Sequence, residues 1–125
     1  MTLPEDLLYT KEHEWVRVQG NTAVVGITDY AQGELGDVVF VELPPAGTAT
    51  KQGDAFGTIE AVKAVSDLFA PASGEVIEVN PLLADAPETV NKDPYGEGWM
   101  VKVRLSAPAE LESLMKADAY KALVG

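Results

Sequence analysis

The chain has 125 residues, 46% of them apolar, enough for one compact domain (1–125) with a substantial core and too few for two. Twenty acidic residues against nine basic ones give a formal charge of −11, which argues against nucleic acid as a partner, because phosphate recognition needs Lys and Arg to displace counterions. The lack of cysteine excludes disulfides, thiolate nucleophiles and cysteine metal sites, and no apolar run approaches membrane-spanning length.

Met1–Asp6 has neither a basic region leading into an apolar run nor an Arg-rich presequence. The expectation is a cytoplasmic bacterial protein, or a mitochondrial matrix protein if a presequence has been removed. Glu14–Gln19 and Thr22–Ile27 are β-branched, partly alternating runs joined by Gly20-Asn21, which predicts a β-hairpin. His13, the single imidazole, precedes the first strand and lies between Glu12 and Glu14; it reads as a surface histidine whose charged form those acids favour. A short helix is expected next, with Asp29 as N-cap, Gln32 reaching back in a capping box and Gly36 as the stop. Val38–Glu42 is a further strand, ended at Pro44-Pro45 because consecutive prolines cannot donate to a ladder.

Ala55–Ala61 and Ala64–Ala70 are two strand-length runs that meet at Val62-Lys63. Neither turn residue is Gly, Asn or Asp, so something other than local turn chemistry has to fix this hairpin. By pattern alone Lys63 is a solvated surface charge; a lysine presented at the tip is the alternative. Gly74–Pro81 echoes Gly36–Pro44 in its glycine, acid and valines, which fits either two similar sheets or chance likeness between Val-rich strands. From Asn80 to Gly98 the chain is rich in Pro, Asp, Asn and Gly and should be mostly irregular, with a short helix near Pro87–Val90.

Trp99–Leu105 alternates apolar with basic residues and predicts a half-buried strand. In the tail from Pro108 to Leu123 the period changes: Leu111, Leu114, Met115, Ala119, Tyr120 and Leu123 fall on a helical stripe, with acids early and lysines late. One or two C-terminal helices should pack on the sheets. The fold class is mainly β, a barrel-like sandwich of two sheets with a short internal helix and C-terminal helices.

One His, no Cys and no Gly-rich strand-to-helix fingerprint leave no hydrolase triad, metal cluster or phosphate loop; the twenty carboxylates keep acid/base catalysis open by inventory, but nothing in their spacing recommends it, and no turnover by the chain alone is expected. The acid excess serves solubility, or speeds encounter with partners that carry basic faces.

Glu60-Ala61-Val62-Lys63-Ala64, with Gly74 eleven positions beyond the lysine, resembles the lipoyl-attachment segment of the H proteins of the glycine cleavage system. The resemblance extends to Tyr9–Val16, Gly26–Gln32, Leu35–Val39, Ser73–Asn80, Val90–Met100 and Glu110–Met115, nearly the whole chain. It implies a lipoyl/biotinyl-domain-like barrel-sandwich hybrid and lipoate on Lys63 in amide linkage, which would take the charge from −11 to −12 by removing one cation. It implies a shuttle that takes the aminomethyl group of glycine between glycine decarboxylase, the aminomethyltransferase and dihydrolipoyl dehydrogenase, acting as a monomer. Glu60 and Gly74 would be read by the lipoylating enzyme, Gly74 as a position needing freedom of φ, while Glu14 and Asp67 would meet the amine of the loaded arm in a water-poor cleft. Glu12 and Glu34 are not assigned to that cleft. A biotin carrier usually has Met on both sides of its lysine and the lipoyl domain of a 2-oxo acid dehydrogenase usually has Asp before it; Val62 and Ala64 depart from both. An unmodified interaction domain is the remaining alternative.

Overall fold

The computed structural model describes residues 2–125. Strands β2 (Glu14–Gln19) and β3 (Thr22–Ile27) form the hairpin that Gly20-Asn21 predicts, from Glu14 opposite Ile27 to Gln19 opposite Thr22, and Gly20 adopts the positive φ of 64° that suits such a turn. With β1 (Leu8–Tyr9), β5 (Ala49–Thr50), β8 (Gly74–Val79) and β9 (Val101–Leu105) they build a six-stranded sheet in the order β1-β2-β3-β9-β8-β5. A second sheet of three strands has the order β4 (Val38–Glu42), β6 (Ala55–Ala61), β7 (Val65–Phe69), every pairing antiparallel.

The two sheets pack as a sandwich, and neither closes into a barrel. Ile27 from β3 meets Val41, Ile59 and Leu68 of the smaller sheet, and Leu43 and Phe56 continue that core to Val25, Val76, Val101 and Val103. On the opposite face Val24 packs with Trp15, Tyr9 and Tyr120. Strand β3 is thus covered on both sides, which is why Ala23–Ile27 has no polar residue alternating with its apolar ones. Trp15 lies opposite Gly26, where even a β-carbon would come within 2.6 Å of the indole, and its ring N–H donates to Pro94 C=O at 2.9 Å.

Helix α1 (Asp29–Leu35) forms where expected and stops at Gly36, whose φ is 81°. Its cap differs from the expectation. Thr28, not Asp29, is the N-cap: its hydroxyl accepts from Ala31 N–H, while Gln32 Nε2 donates to the Asp29 carboxylate within the helix. Thr28 is also fully buried, and a hydroxyl can satisfy a buried helix end with less desolvation than a carboxylate.

Residues 80–98 contain two one-turn helices, α2 (Leu82–Asp85) and α3 (Thr89–Lys92); the first was not expected and the second lies two residues beyond the predicted position. Buried Leu83 and Val90 dock them on the inter-sheet core, so tertiary contacts hold turns that composition alone marks as irregular. The strand predicted from Trp99 begins at Val101.

The tail forms a 3-10 turn (Pro108–Ser113) and then α4 (Ala117–Val124). The predicted stripe holds for Leu111, Leu114, Met115 and Tyr120 but fails at Ala119 and Leu123, which face solvent while Ala117 and Val124 pack inward. The chain is extended between the two helices, where Met115 bridges to Tyr9, and this resets the phase. The echo between Gly36–Pro44 and Gly74–Pro81 places one strand in each sheet, β4 and β8, but the sheets are unequal in size.

Candidate functional site

Lys63 stands at the turn between β6 and β7, closed by a hydrogen bond from Ala61 N–H to Ala64 C=O at 2.7 Å. Neither Val62 nor Lys63 has a positive φ, so the turn is not one of the primed types that twist hairpins favourably. The missing constraint comes from outside the hairpin. Val62 N–H donates to Asp37 C=O at 3.0 Å, at the start of β4. That start is itself clamped by Asn91 of α3: Val38 N–H donates to its Oδ1 at 2.9 Å, and its Nδ2 donates to Gly36 C=O at 2.8 Å and Gln32 Oε1 at 3.0 Å.

The stem of Lys63 lies along Gly36, where a β-carbon would come 3.2 Å from Lys63 Cε. Among the described residues the salt bridges are Lys102–Glu78 and Arg104–Glu75, so Lys63 has no carboxylate partner. An exposed lysine without an ion pair suits acylation, since neutralising it strands no buried acid.

Beside this hairpin is a cleft of about 230 Å³ between α1, the start of β2, and β7. Glu14 and Asp67 both line it, as do Glu12, His13, Tyr30 and Glu34, over an apolar floor that includes Ile27, Leu35 and Ile59. A second groove of about 500 Å³, lined by Tyr9, Thr10, Gln52, Phe69 and Met115 among others, opens on the other side of Glu14. Glu14 therefore borders both spaces.

Glu14 is only 2% exposed. Its Oε1 accepts from the Thr10 hydroxyl at 2.6 Å and its Oε2 accepts at 3.4 Å from Phe69 N–H, on β7 of the other sheet. Burial pushes its carboxyl up to about 7, with the Thr10 and Phe69 donors pulling the other way and Glu12 adding to the rise. Asp67 is exposed at the rim. Four carboxylates around an apolar floor make a site for a small cationic group.

His13 departs from the sequence reading. It is half-buried, adopts a left-handed φ of 74°, and its Nδ1 is 2.8 Å from the Tyr120 hydroxyl, which in turn is 2.8 Å from Thr28 Oγ1. Burial lowers its pKa, and the attraction of Glu12 and Glu34 offsets this only in part, so the neutral ring is favoured instead of the charged one.

Glu60 is exposed on the outer face of the smaller sheet, opposite Phe40 on one side and Val65 on the other. Gly74 lies in the larger sheet, opposite Leu105 and Thr50. Its φ is not positive; a β-carbon there would come 2.0 Å from Arg104 C=O, so close approach of β8 to β9 and not freedom of φ accounts for the glycine. The residues sequence reasoning missed are Glu12, His13, Tyr30 and Glu34 in the cleft and Asp37 and Asn91 behind the tip. Only the neighbouring acids of His13 gave any local signal.

Residues 7–125 match the sequence model of the family described as glycine cleavage H-protein. The chain belongs to this family. It is 62% identical over 124 residues to a glycine cleavage system H protein of Anaeromyxobacter sp. (strain K), covering 99% of this chain and 97% of that one. It is 60% identical over 127 residues to the protein of the same name from Chlorobium limicola, covering 100% and 99%. A crystal structure of a glycine cleavage system H protein from Mycobacterium marinum superposes with a TM-score of 0.89 at 41% identity, covering 96% of this chain and 97% of that one. H-protein membership thus extends through the C-terminal helices as well as the hairpin.

Proposed function

We propose that this protein is the lipoyl-carrying shuttle of the glycine cleavage system, with lipoate in amide linkage to Lys63. The observation that carries the proposal is an unpaired, exposed lysine at the tip of a braced hairpin in a chain that belongs to the H-protein family. When bound, the lipoyl group supplies a dithiolane that takes up the aminomethyl carbon of glycine and two electrons.

The chain's own residues supply position and shelter. Asp37 and Asn91 hold the hairpin tip at a fixed place, and the apolar floor of the cleft limits water. Glu14 and Asp67 attract the amine of the cargo. Glu60 contacts the lipoylating enzyme as a charge; Gly74 serves that recognition by letting β8 seat against β9. The partners are glycine decarboxylase, the aminomethyltransferase, dihydrolipoyl dehydrogenase and the lipoylating enzyme, met by a monomer in the bacterial cytoplasm. No helix among the described residues is long and apolar enough to cross a membrane, and the relatives named above are bacterial. The protein works as a carrier and not as a catalyst.

Intact mass after co-expression with a lipoylating enzyme tests the proposal. The expected result is one lipoyl addition, mapped to Lys63 and abolished in Lys63→Arg. A biotinyl addition, or none, would reject it.

A further inference from the structure

His13 is the one imidazole of the chain, and among the described residues it is the only one other than glycine with a left-handed φ, 74°. That turn sets aside the alternation of an extended strand, so three successive residues, Glu12, His13 and Glu14, line one cleft instead of opposite faces. His13 N–H donates to Thr10 C=O at 3.1 Å and its C=O accepts from Thr28 N–H at 3.0 Å, which holds the turn. Between centroids, the ring lies 4.9 Å from Tyr30 of α1 and 5.8 Å from Tyr120 of α4. The acids around it are Glu12 and Glu14 on its own segment, Glu34 on α1 and Asp67 on β7 across the cleft; α4 contributes the Tyr120 phenol.

Hydrogen-bond order fixes which ring nitrogen carries the proton. Thr28 Oγ1 already accepts from Ala31 N–H, and Thr28 and Tyr120 are both fully buried, so the Thr28 hydroxyl donates to Tyr120 Oη at 2.8 Å. Tyr120 then donates to His13 Nδ1 at 2.8 Å, and the ring proton sits on Nε2. In this order every buried hydroxyl proton has an acceptor. A second proton, on Nδ1, would make that nitrogen a donor, and either the Thr28 or the Tyr120 hydroxyl would lose its acceptor where water does not reach. The relay thus opposes charging of the ring in the same sense as burial does.

Resting on the carrier reading above, we propose that His13 is a positioning residue for the cargo: its neutral ring leaves the acids of the cleft free to hold a cationic arm, and its protonation expels that arm. A charged ring stands between Glu12 and Glu14 and takes up the attraction that the amine of the cargo uses. Glu14 loses its own charge as pH falls through about 7, so acidification weakens the cleft twice and in one direction. The cargo is held above the titration of the ring and let go below it.

The chain has no cysteine, so in the lipoylated and reduced protein the arm carries the only thiols and can be alkylated selectively. Treatment with 2-bromoethylamine gives a stable cationic arm, and 2-bromoethanol a neutral arm of the same size. NMR of the single imidazole follows the ring in each. Coupling is reciprocal, so a cation that the charged ring repels about tenfold lowers the midpoint of the ring by about one pH unit against the neutral arm. Tyr120→Phe, which removes the relay, raises the midpoint in unmodified protein. Equal midpoints for the two arms overturn the proposal, and so does a midpoint that Tyr120→Phe fails to raise.

Release of the aminomethyl cargo is the second readout. His13→Asn keeps a residue that tolerates the left-handed turn but cannot titrate. Glu14 and the chemistry of the cargo titrate alike in parent and variant, so the ratio of parent to variant release rate isolates the ring; it should rise about tenfold from about pH 7.5 to about pH 5. A flat ratio overturns the proposal. Should His13→Asn lose its fold, the comparison of the two arms decides alone. A parent protein that never acquires lipoate defeats the carrier reading itself, a result distinct from a lipoylated protein whose ring ignores the charge on the arm.

Discussion

Glu14 is nearly enclosed by protein, and its carboxyl titrates near 7 where an exposed glutamate titrates near 4.5. A folded-state pKa raised above the unfolded one means that the folded protein holds the proton more tightly between those values, so stability is full below about 4.5 and falls as pH rises through about 7. The shift corresponds to about 3 kcal/mol. Glu14→Gln should therefore flatten the fall in stability between pH 5 and 8, measured by urea unfolding at each pH; an unaltered pH slope would place the titration elsewhere. On the proposed carrier reading the same residue also faces the cargo. Asp67→Asn and Glu14→Ala are each expected to speed methylamine release from the loaded protein without blocking lipoylation, by on the order of tenfold for Glu14 if about 1.4 kcal/mol of charge-assisted contact is lost. Equal release rates in the parent and both variants would remove the cleft from the mechanism. Glu14 and Asp67 were legible only through family resemblance, because strand pattern cannot show that residues 53 positions apart line one space.

The C-terminal helix α4 is joined to the cleft by Tyr120. Its hydroxyl lies between His13 Nδ1 and Thr28 Oγ1, and its ring stacks on Tyr9 with centroids 4.8 Å apart. Thr28 is also the cap of α1, so one phenol connects α4, the start of β2 and the helix that forms a wall of the cleft. Tyr120→Phe keeps the stack but leaves two polar groups short of a partner, and should cost about 1–3 kcal/mol in chemical denaturation, with the His13 ring signals shifted in NMR spectra. Unchanged stability together with unchanged His13 signals would show that the link carries no load. The element boundaries around this helix illustrate what a local pattern can miss. The stripe through Leu111, Leu114 and Met115 is real, but the extended Met115–Lys116 junction restarts the helix, and Ala119 and Leu123 then point outward. The Lys63 hairpin was legible from its β-branched flanks, whereas its brace was not, since Asp37 and Asn91 lie far from it in sequence.

At the scale of the molecule, two sheets of unequal size share one core, and the smaller one carries Lys63 at its tip. The sandwich was readable from alternating strands and turn residues; the pairing of β3 with β9, some 80 residues apart, was not, because register over that separation is set by burial instead of by turns. Strand β7 is one of the two outer strands of the smaller sheet, with Val65 exposed and Asp67 along it, and Glu14 already occupies Phe69 N–H. A bare strand beside apolar side chains is a template for another copy to extend, and charges along it discourage that growth. Lipoylated Asp67→Asn should therefore form thioflavin-positive aggregates on prolonged incubation before the lipoylated parent does; equal lag times would show that Asp67 has no such part. Lys63 lies at one end of that strand as a second charge, and on the proposed carrier reading acylation would neutralise it. Lipoylation there, as proposed, would then leave Asp67 as the one acid along β7 to oppose strand-to-strand growth.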